Sequence, residues 1–130
     1  MPVGIKKVLF RLIFTIVIGS HALHSVGYAM GIQRDGADEA VLSCFGDGAT
    51  NIGSVLETMN MAAAWKLPLC FFIENNRYAM GVPLADSESQ TEIYRKADAY
   101  RMAAAQVDAM DPVQMAAAAR RAVAHVRGGL

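Results

Sequence analysis

The chain has 130 residues, equal numbers of basic and acidic side chains, a formal net charge of zero and 54% hydrophobic residues. This length and apolar content suffice for one domain with its own core. Because there is no basic stripe, nucleic acid is not expected as a partner. Cys44 and Cys70 lie inside apolar runs without metal-ligand spacing. We interpret them as buried filler in a reducing compartment and expect a cytoplasmic protein.

The N-terminal segment places a lysine pair before an apolar run, as a signal peptide or a membrane anchor would. Arg11 interrupts that run, and only a short apolar stretch remains before Gly19. A membrane-spanning helix needs about 20 predominantly apolar residues. We therefore expect no membrane association. Residues 1–15 are interpreted as an atypical apolar leader, joined to a domain over residues 16–130.

Downstream of the leader, helical and strand patterns alternate. Ser20 is suited to cap a helix that runs to about Arg34 and ends at Asp35-Gly36. The further predicted elements are a strand at 40–45, a helix at 52–66 with Asn51 as its cap, a strand at 69–74, a loop at 75–90, a short helical or irregular piece at 91–101, a strand near 104–108 and a helix from Pro112 to about His125. This alternation predicts an α/β fold with a parallel sheet flanked by helices.

Two polar motifs follow the two most apolar strands. Gly46-Asp47-Gly48 ends the first strand, and Asn75-Asn76 ends the second. Because ligands of parallel sheets collect at the carboxyl ends of the strands, we expect both motifs at one site. Mg²⁺ prefers oxygen ligands and often combines one or two protein oxygens with phosphate oxygens and water. Asp47 is therefore the candidate anionic ligand, and Asn76 the neutral amide ligand, of a cation held against a diphosphate.

The glycines and the following helix fit the same interpretation. Gly46 and Gly48 permit unusual backbone angles and allow main-chain N–H groups to approach an anion. The helix that begins near Asn51 directs its positive end towards the same place. An isolated Gly-Asp-Gly is most simply a tight turn. The helix, proline stop, strand and asparagine pair that follow it favour a binding site.

At this point the residues resemble a known family. The stretch GDGATNIGSVLETMNMAAAWKLPLCFFIENNRYAMG resembles the thiamine-diphosphate motif of the alpha subunits of 2-oxo acid dehydrogenase E1 components, most closely the pyruvate and acetoin dehydrogenase branch. Downstream, VDAMDP resembles the family's VDGMDP strand and turn. The likeness covers about residues 16–130. It implies the diphosphate-binding half of a thiamine-diphosphate-binding fold, and we expect an incomplete domain from a fragment of such a subunit.

The resemblance also implies roles for individual residues. Asp47 and Asn76 match ligands of Mg²⁺, and Tyr78 matches the position that offers a backbone carbonyl to the metal. The residues implied in cofactor binding are Ile18, Asp47, Gly48, Ala49 and Asn76. Among these, Gly48 and Ala49 match main-chain contacts to the diphosphate. None is expected to be a chemical catalyst, because the cofactor carries the carbanion chemistry.

The implied reaction is oxidative decarboxylation of a small 2-oxo acid with acyl transfer to the lipoyl group of an E2 partner, in a heterotetramer with an E1 beta subunit. In this family the beta subunit supplies the glutamate that activates the aminopyrimidine ring of the cofactor, so we expect the chain alone to be inactive. One alternative is a catalytically inactive remnant that folds or binds a beta-type partner. Acetoin dehydrogenase and transketolase-type enzymes are further alternatives. The string ENNRYAMG favours the E1 alpha pattern over the transketolase type.

Overall fold

The computed structural model describes residues 18–129, so the leader expected at residues 1–15 lies outside the described residues. Its helices and longer strands are α1 (Ser20–Asp35), β1 (Val41–Gly46), α2 (Gly53–Ala64), β2 (Leu69–Glu74) and α4 (Pro112–Arg127). The short elements between β2 and α4 are β3 (Tyr78–Ala79), β4 (Val82–Pro83) and the single-turn helix α3 (Leu84–Ser87). Two 3-10 segments, Asp47–Asn51 and Ile93–Tyr100, complete the secondary structure of the described part.

The central feature is a parallel pair of strands. β1 pairs with β2 in a register that runs from Val41 opposite Leu69 to Gly46 opposite Glu74. Parallel neighbours need a crossover, and α2 provides it. β3 and β4 form a separate small antiparallel hairpin. The predicted α/β fold with a parallel sheet flanked by helices is therefore confirmed, as a two-stranded sheet within the described residues.

Helix residues spaced three or four apart, together with strand residues, build the core beside this sheet. α1 contributes Ala22, Val26 and Ala29, none of which is more than 5% exposed. α1 contacts both α2 and β1, while α4 contacts β2. The members of the two buried clusters are Val26, Ala29, Val41, Ala62, Leu67 and Leu69 in one, and Ala22, Phe45, Ala49, Val55 and Met59 in the other. The second cluster lies under the turn that follows β1, and it fixes that turn to the rest of the domain.

The helix starts differ from the sequence-based expectations. α1 begins after Gly19 rather than with Ser20 as its cap, and Gly19 has a left-handed φ of 82°. The left-handed φ favours glycine here, and a Cβ atom at Gly19 would lie in tight contact, 3.0 Å, with Cδ1 of Ile52. Asn51 ends a 3-10 segment instead of capping α2, whose N-cap is Ile52.

The C-terminal part contains one wrong prediction and one confirmed prediction. The strand expected near 104–108 is absent: these residues have no regular secondary structure. A strand needs a neighbour that takes up its backbone hydrogen bonds, and no strand of the described chain pairs with this segment. α4 does begin at Pro112, and the Oδ1 atom of Asp111 accepts hydrogen bonds from the backbone N–H groups of Val113 and Gln114.

Within residues 18–129, no helix has the length and apolar character required to cross a bilayer.

Candidate functional site

The sheet register brings the two polar motifs together. Gly46 and Glu74 are opposite each other in the last pair of the sheet, so Asp47 and Asn75 leave adjacent strands at the same edge. The two chain segments then touch, because β3 packs against the 3-10 segment that begins at Asp47. This edge is the carboxyl end of the parallel strands, where the sequence placed the site.

Asp47 is a buried carboxylate with an unpaired oxygen. It is the first residue of the 3-10 segment and is only 1% exposed. Its Oδ2 atom is buried and accepts no hydrogen bond from the described residues. A buried charged oxygen without a partner is costly, and a bound cation is one way in which proteins compensate it. The position therefore fits an anionic ligand to a metal ion.

The other ligands predicted at this edge, the Asn76 side chain and the Tyr78 carbonyl, are neutral. No group of three or more His, Cys, Asp or Glu side chains within residues 18–129 is arranged to hold a metal ion. A cation at Asp47 would therefore need amide and carbonyl oxygens, together with oxygens of a bound anion. That set of hard oxygen ligands suits Mg²⁺.

Asn76 and Tyr78 lie in a turn that is stabilised by hydrogen bonds from backbone N–H groups to asparagine side chains. Oδ1 of Asn76 accepts from the backbone N–H of Tyr78 at 2.9 Å, and Oδ1 of Asn75 accepts from the N–H of Arg77 at 3.0 Å. An amide oxygen has two lone pairs, so this bond leaves Asn76 one acceptor position for a metal. Tyr78 starts β3 with a side chain that is 55% exposed. Metal ligation by Asn76 and by the Tyr78 carbonyl stays a prediction.

Gly48 allows the two segments to approach. A Cβ atom on Gly48 would lie 2.5 Å from Cβ of Ala79, which is closer than carbon atoms tolerate. The glycine is therefore required because the turn after β1 lies directly against β3. Its neighbour Ala49 is 4% exposed and belongs to the core. Contacts of Gly48 and Ala49 with a diphosphate remain predictions.

Ile18 lies in the turn before α1, and its side chain is 63% exposed. The adjacent Gly19 sits against Ile52 and Val55 at the start of α2. The turn of Ile18 is thus held beside the helix that follows the Asp47 segment. A backbone contact of Ile18 with a cofactor ring stays a prediction.

Sequence reasoning missed a buried polar cluster next to Asp47. Lys96 has a side chain only 16% exposed and pairs with Glu88 at 2.6 Å. Thr50 is fully buried, and its Oγ1 lies 2.8 Å from Oε1 of Glu88. The charges are separated along an irregular polar segment, so no periodic pattern marks them. Glu88 and Lys96 lie in the polar stretch 84–96, and nothing in its sequence pattern indicates that they pair.

The described residues thus form a parallel α/β edge with a buried aspartate in a glycine turn, beside an asparagine turn. Residues 6–130 match the sequence model of the family described as dehydrogenase E1 component, and the chain belongs to this family. The resemblance inferred from the two motifs is thereby confirmed.

Individual relatives agree with the family assignment. Over 113 residues the chain is 41% identical to the pyruvate dehydrogenase E1 component subunit alpha of Rhizobium meliloti (strain 1021), and this match covers 87% of the chain and 32% of that protein. It is 38% identical to the somatic, mitochondrial forms of that subunit from Sus scrofa and Homo sapiens, over 87% of the chain and 28% of each relative. The chain therefore spans about a third or less of the length of these relatives.

Proposed function

We propose that this chain carries the cation- and diphosphate-binding half-site of an E1 alpha-type subunit that uses thiamine diphosphate and Mg²⁺. The observation that carries the proposal is the buried, unpaired Oδ2 of Asp47 at the sheet edge where the Asn76 turn also lies. Asp47 would bind the cation as its charged ligand, with Asn76 and the Tyr78 carbonyl as neutral ligands. Gly48 and Ala49 would offer main-chain groups to the diphosphate.

In the intact enzyme the proposed reaction is oxidative decarboxylation of a 2-oxo acid with acyl transfer to a lipoyl-bearing E2 partner. Thiamine diphosphate, when bound, supplies the nucleophilic carbon and the electron sink for that chemistry. The residues of this chain bind and orient, and an E1 beta partner in a heterotetramer would complete the pocket. The names of the relatives support pyruvate as the substrate class.

Two free thiols, Cys44 and Cys70, are compatible with a reducing compartment such as the cytoplasm.

The test is the thermal unfolding of the purified chain with and without both Mg²⁺ and thiamine diphosphate. A ligand that binds only the folded state, at 100 times its dissociation constant, adds about 2.7 kcal/mol of stability. For a chain of this length that corresponds to a rise of roughly 10 °C in the melting temperature. We expect the rise only when both additives are present.

Asp47→Asn is the decisive variant because it keeps the shape of the side chain and removes its charge. Without ligands we expect it to be at least as stable as the wild type, since an unpaired buried carboxylate is costly to fold. With ligands we expect no rise in melting temperature. Asp35→Asn, at the exposed end of α1, is the matched control and should respond as the wild type does.

Two outcomes would contradict the proposal. One is a folded wild-type chain that shows no rise at saturating Mg²⁺ and thiamine diphosphate, which would favour a remnant that has lost ligand binding. The other is a rise that Asp47→Asn retains in full.

A further inference from the structure

The polar cluster beside the candidate site consists of Thr50, Asn51, Glu88 and Lys96, and we call it the Glu88–Lys96 cluster. Nζ of Lys96 lies 2.6 Å from the Glu88 carboxylate, and donates to Oγ1 of Thr50 at 3.0 Å and to Oδ1 of Asn51 at 3.2 Å. An ammonium group has three protons, so these acceptors match its hydrogen-bonding capacity. The cluster is therefore a fully satisfied arrangement rather than a chance surface contact.

The charges of the cluster are withdrawn from solvent. The side chain of Glu88 is 3% exposed, and that of Lys96 is 16% exposed. A buried ion pair of this kind is tolerated when its remaining hydrogen-bonding positions are filled. Here Thr50 and Asn51 fill those of the Lys96 ammonium group. Removal of either charge would leave the other buried without its partner.

The cluster is connected directly to Asp47. Thr50 lies three residues after Asp47 in the same 3-10 segment, and its Oγ1 is 2.7 Å from the backbone carbonyl of Asp47, which accepts its hydrogen bond. The next residue, Asn51, donates from Nδ2 to the backbone carbonyl of Ser87 at 2.9 Å. The segment that carries Asp47 is thus tied to the chain between Ser87 and Lys96 by side chains of both segments.

We propose that Glu88 and Lys96 are positioning residues for the cation site, and that they act through Thr50 to fix the backbone that aims the Asp47 carboxylate. The inference rests on the proposed function. Metal affinity depends on ligand placement to within a few tenths of an ångström. Loss of an outer partner that orients a ligand typically weakens binding about 10- to 100-fold.

The test measures the affinity for Mn²⁺, a paramagnetic substitute for Mg²⁺, in the presence of saturating thiamine diphosphate. Free Mn²⁺ is quantified by electron paramagnetic resonance at a temperature where circular dichroism shows each variant to be folded. For Glu88→Gln and Lys96→Met we expect dissociation constants about 10- to 100-fold above the wild-type value. Lys96→Arg keeps the charge and should restore most of the affinity.

The chain offers a matched control pair on the same segment. Arg95 and Glu92 form an ion pair at 2.9 Å whose side chains are 52% and 49% exposed. Arg95→Gln and Glu92→Gln remove the same types of charge without touching Thr50. Their dissociation constants should stay within about 2-fold of the wild type, because exposed ion pairs contribute little.

The outcomes separate this inference from the function on which it rests. A wild-type chain that does not bind Mn²⁺ overturns the proposed function and this inference with it. A wild-type chain that binds, while folded Glu88→Gln and Lys96→Met bind equally well, overturns the positioning role alone. If both single variants fail to fold, the charge-exchanged variant E88K/K96E decides: weakened binding in a folded chain supports the role, and wild-type affinity overturns it.

Discussion

The contact between the Gly48 turn and β3 can be tested by adding a single methyl group. In Gly48→Ala the new Cβ would lie 2.5 Å from Cβ of Ala79 and 3.4 Å from its Cα. Non-bonded carbon atoms favour separations of roughly 3.5–4.0 Å, so the two segments must move apart by about 1 Å. Both Cβ atoms are attached to the main chain, and no change of rotamer relieves the overlap.

The magnitude follows from the rigidity of the contact. Overpacking of this kind costs about 1–3 kcal/mol of unfolding free energy. For a chain of this length, each kcal/mol lowers the melting temperature by roughly 4 °C, so we expect a decrease of about 4–12 °C. The displacement of β3 also carries Tyr78 away from Asp47, and the rise in melting temperature with Mg²⁺ and thiamine diphosphate should shrink or disappear.

The assay is thermal unfolding followed by circular dichroism, with other glycines of the same region as controls. A Cβ at Gly46 would lie 4.0 Å from the Glu74 carbonyl oxygen, and Gly46 has an ordinary φ of −75°. Among residues 18–129, no atom would lie within 4 Å of a Cβ at Gly53. Gly46→Ala and Gly53→Ala should therefore melt close to the wild type.

The double variant G48A/A79G provides the refutation. It removes the atom with which the new methyl group collides. Added to Ala79→Gly, the Gly48→Ala substitution should therefore lower the unfolding free energy much less than it does in the wild type. The reasoning is refuted if Gly48→Ala melts within about 2 °C of the wild type, or if the two substitutions are simply additive.

Two further predictions concern titration and reactivity. Hydrogen bonds from the backbone N–H and the side chain of Gln114 lower the pKa of Asp111, the N-cap residue of α4. The stabilisation from this cap is therefore complete above the ordinary aspartate pKa and is lost as the pH falls through the lowered pKa. The melting temperatures of wild type and Asp111→Ala should therefore differ at neutral pH and converge in strong acid, and a constant difference would contradict the cap. Burial raises the pKa of the thiols of Cys44 and Cys70, the former further through the nearby charge of Glu74. Both thiols are partly buried, so they should react more slowly with a chromogenic thiol reagent at neutral pH in the folded chain than in the denatured chain, and equal rates would contradict this partial burial.

Local sequence determined the elements that carry the site. The apolar run before Gly46 and the run before Asn75 each predicted a strand, and β1 and β2 end where these runs end. Pro112 marked the first residue of α4, because its fixed φ suits a helix start and its missing N–H is not needed there. Turn chemistry at the ends of two parallel strands was then enough to place Asp47 and the Asn76 turn at one edge.

Tertiary structure decided what local pattern could not. A strand was predicted near 104–108, but a strand requires a neighbour, and none of the described strands pairs with this segment. Gly19, with a left-handed φ of 82°, is the N-cap of α1 in place of Ser20, and it packs against Ile52 and Val55, which are distant in sequence. Only the folded chain brings Lys96 and Glu88 against Thr50 and leaves Oδ2 of Asp47 buried without a partner. The environment of a charge depends on which distant segments exclude water from it, and residue spacing does not contain that information.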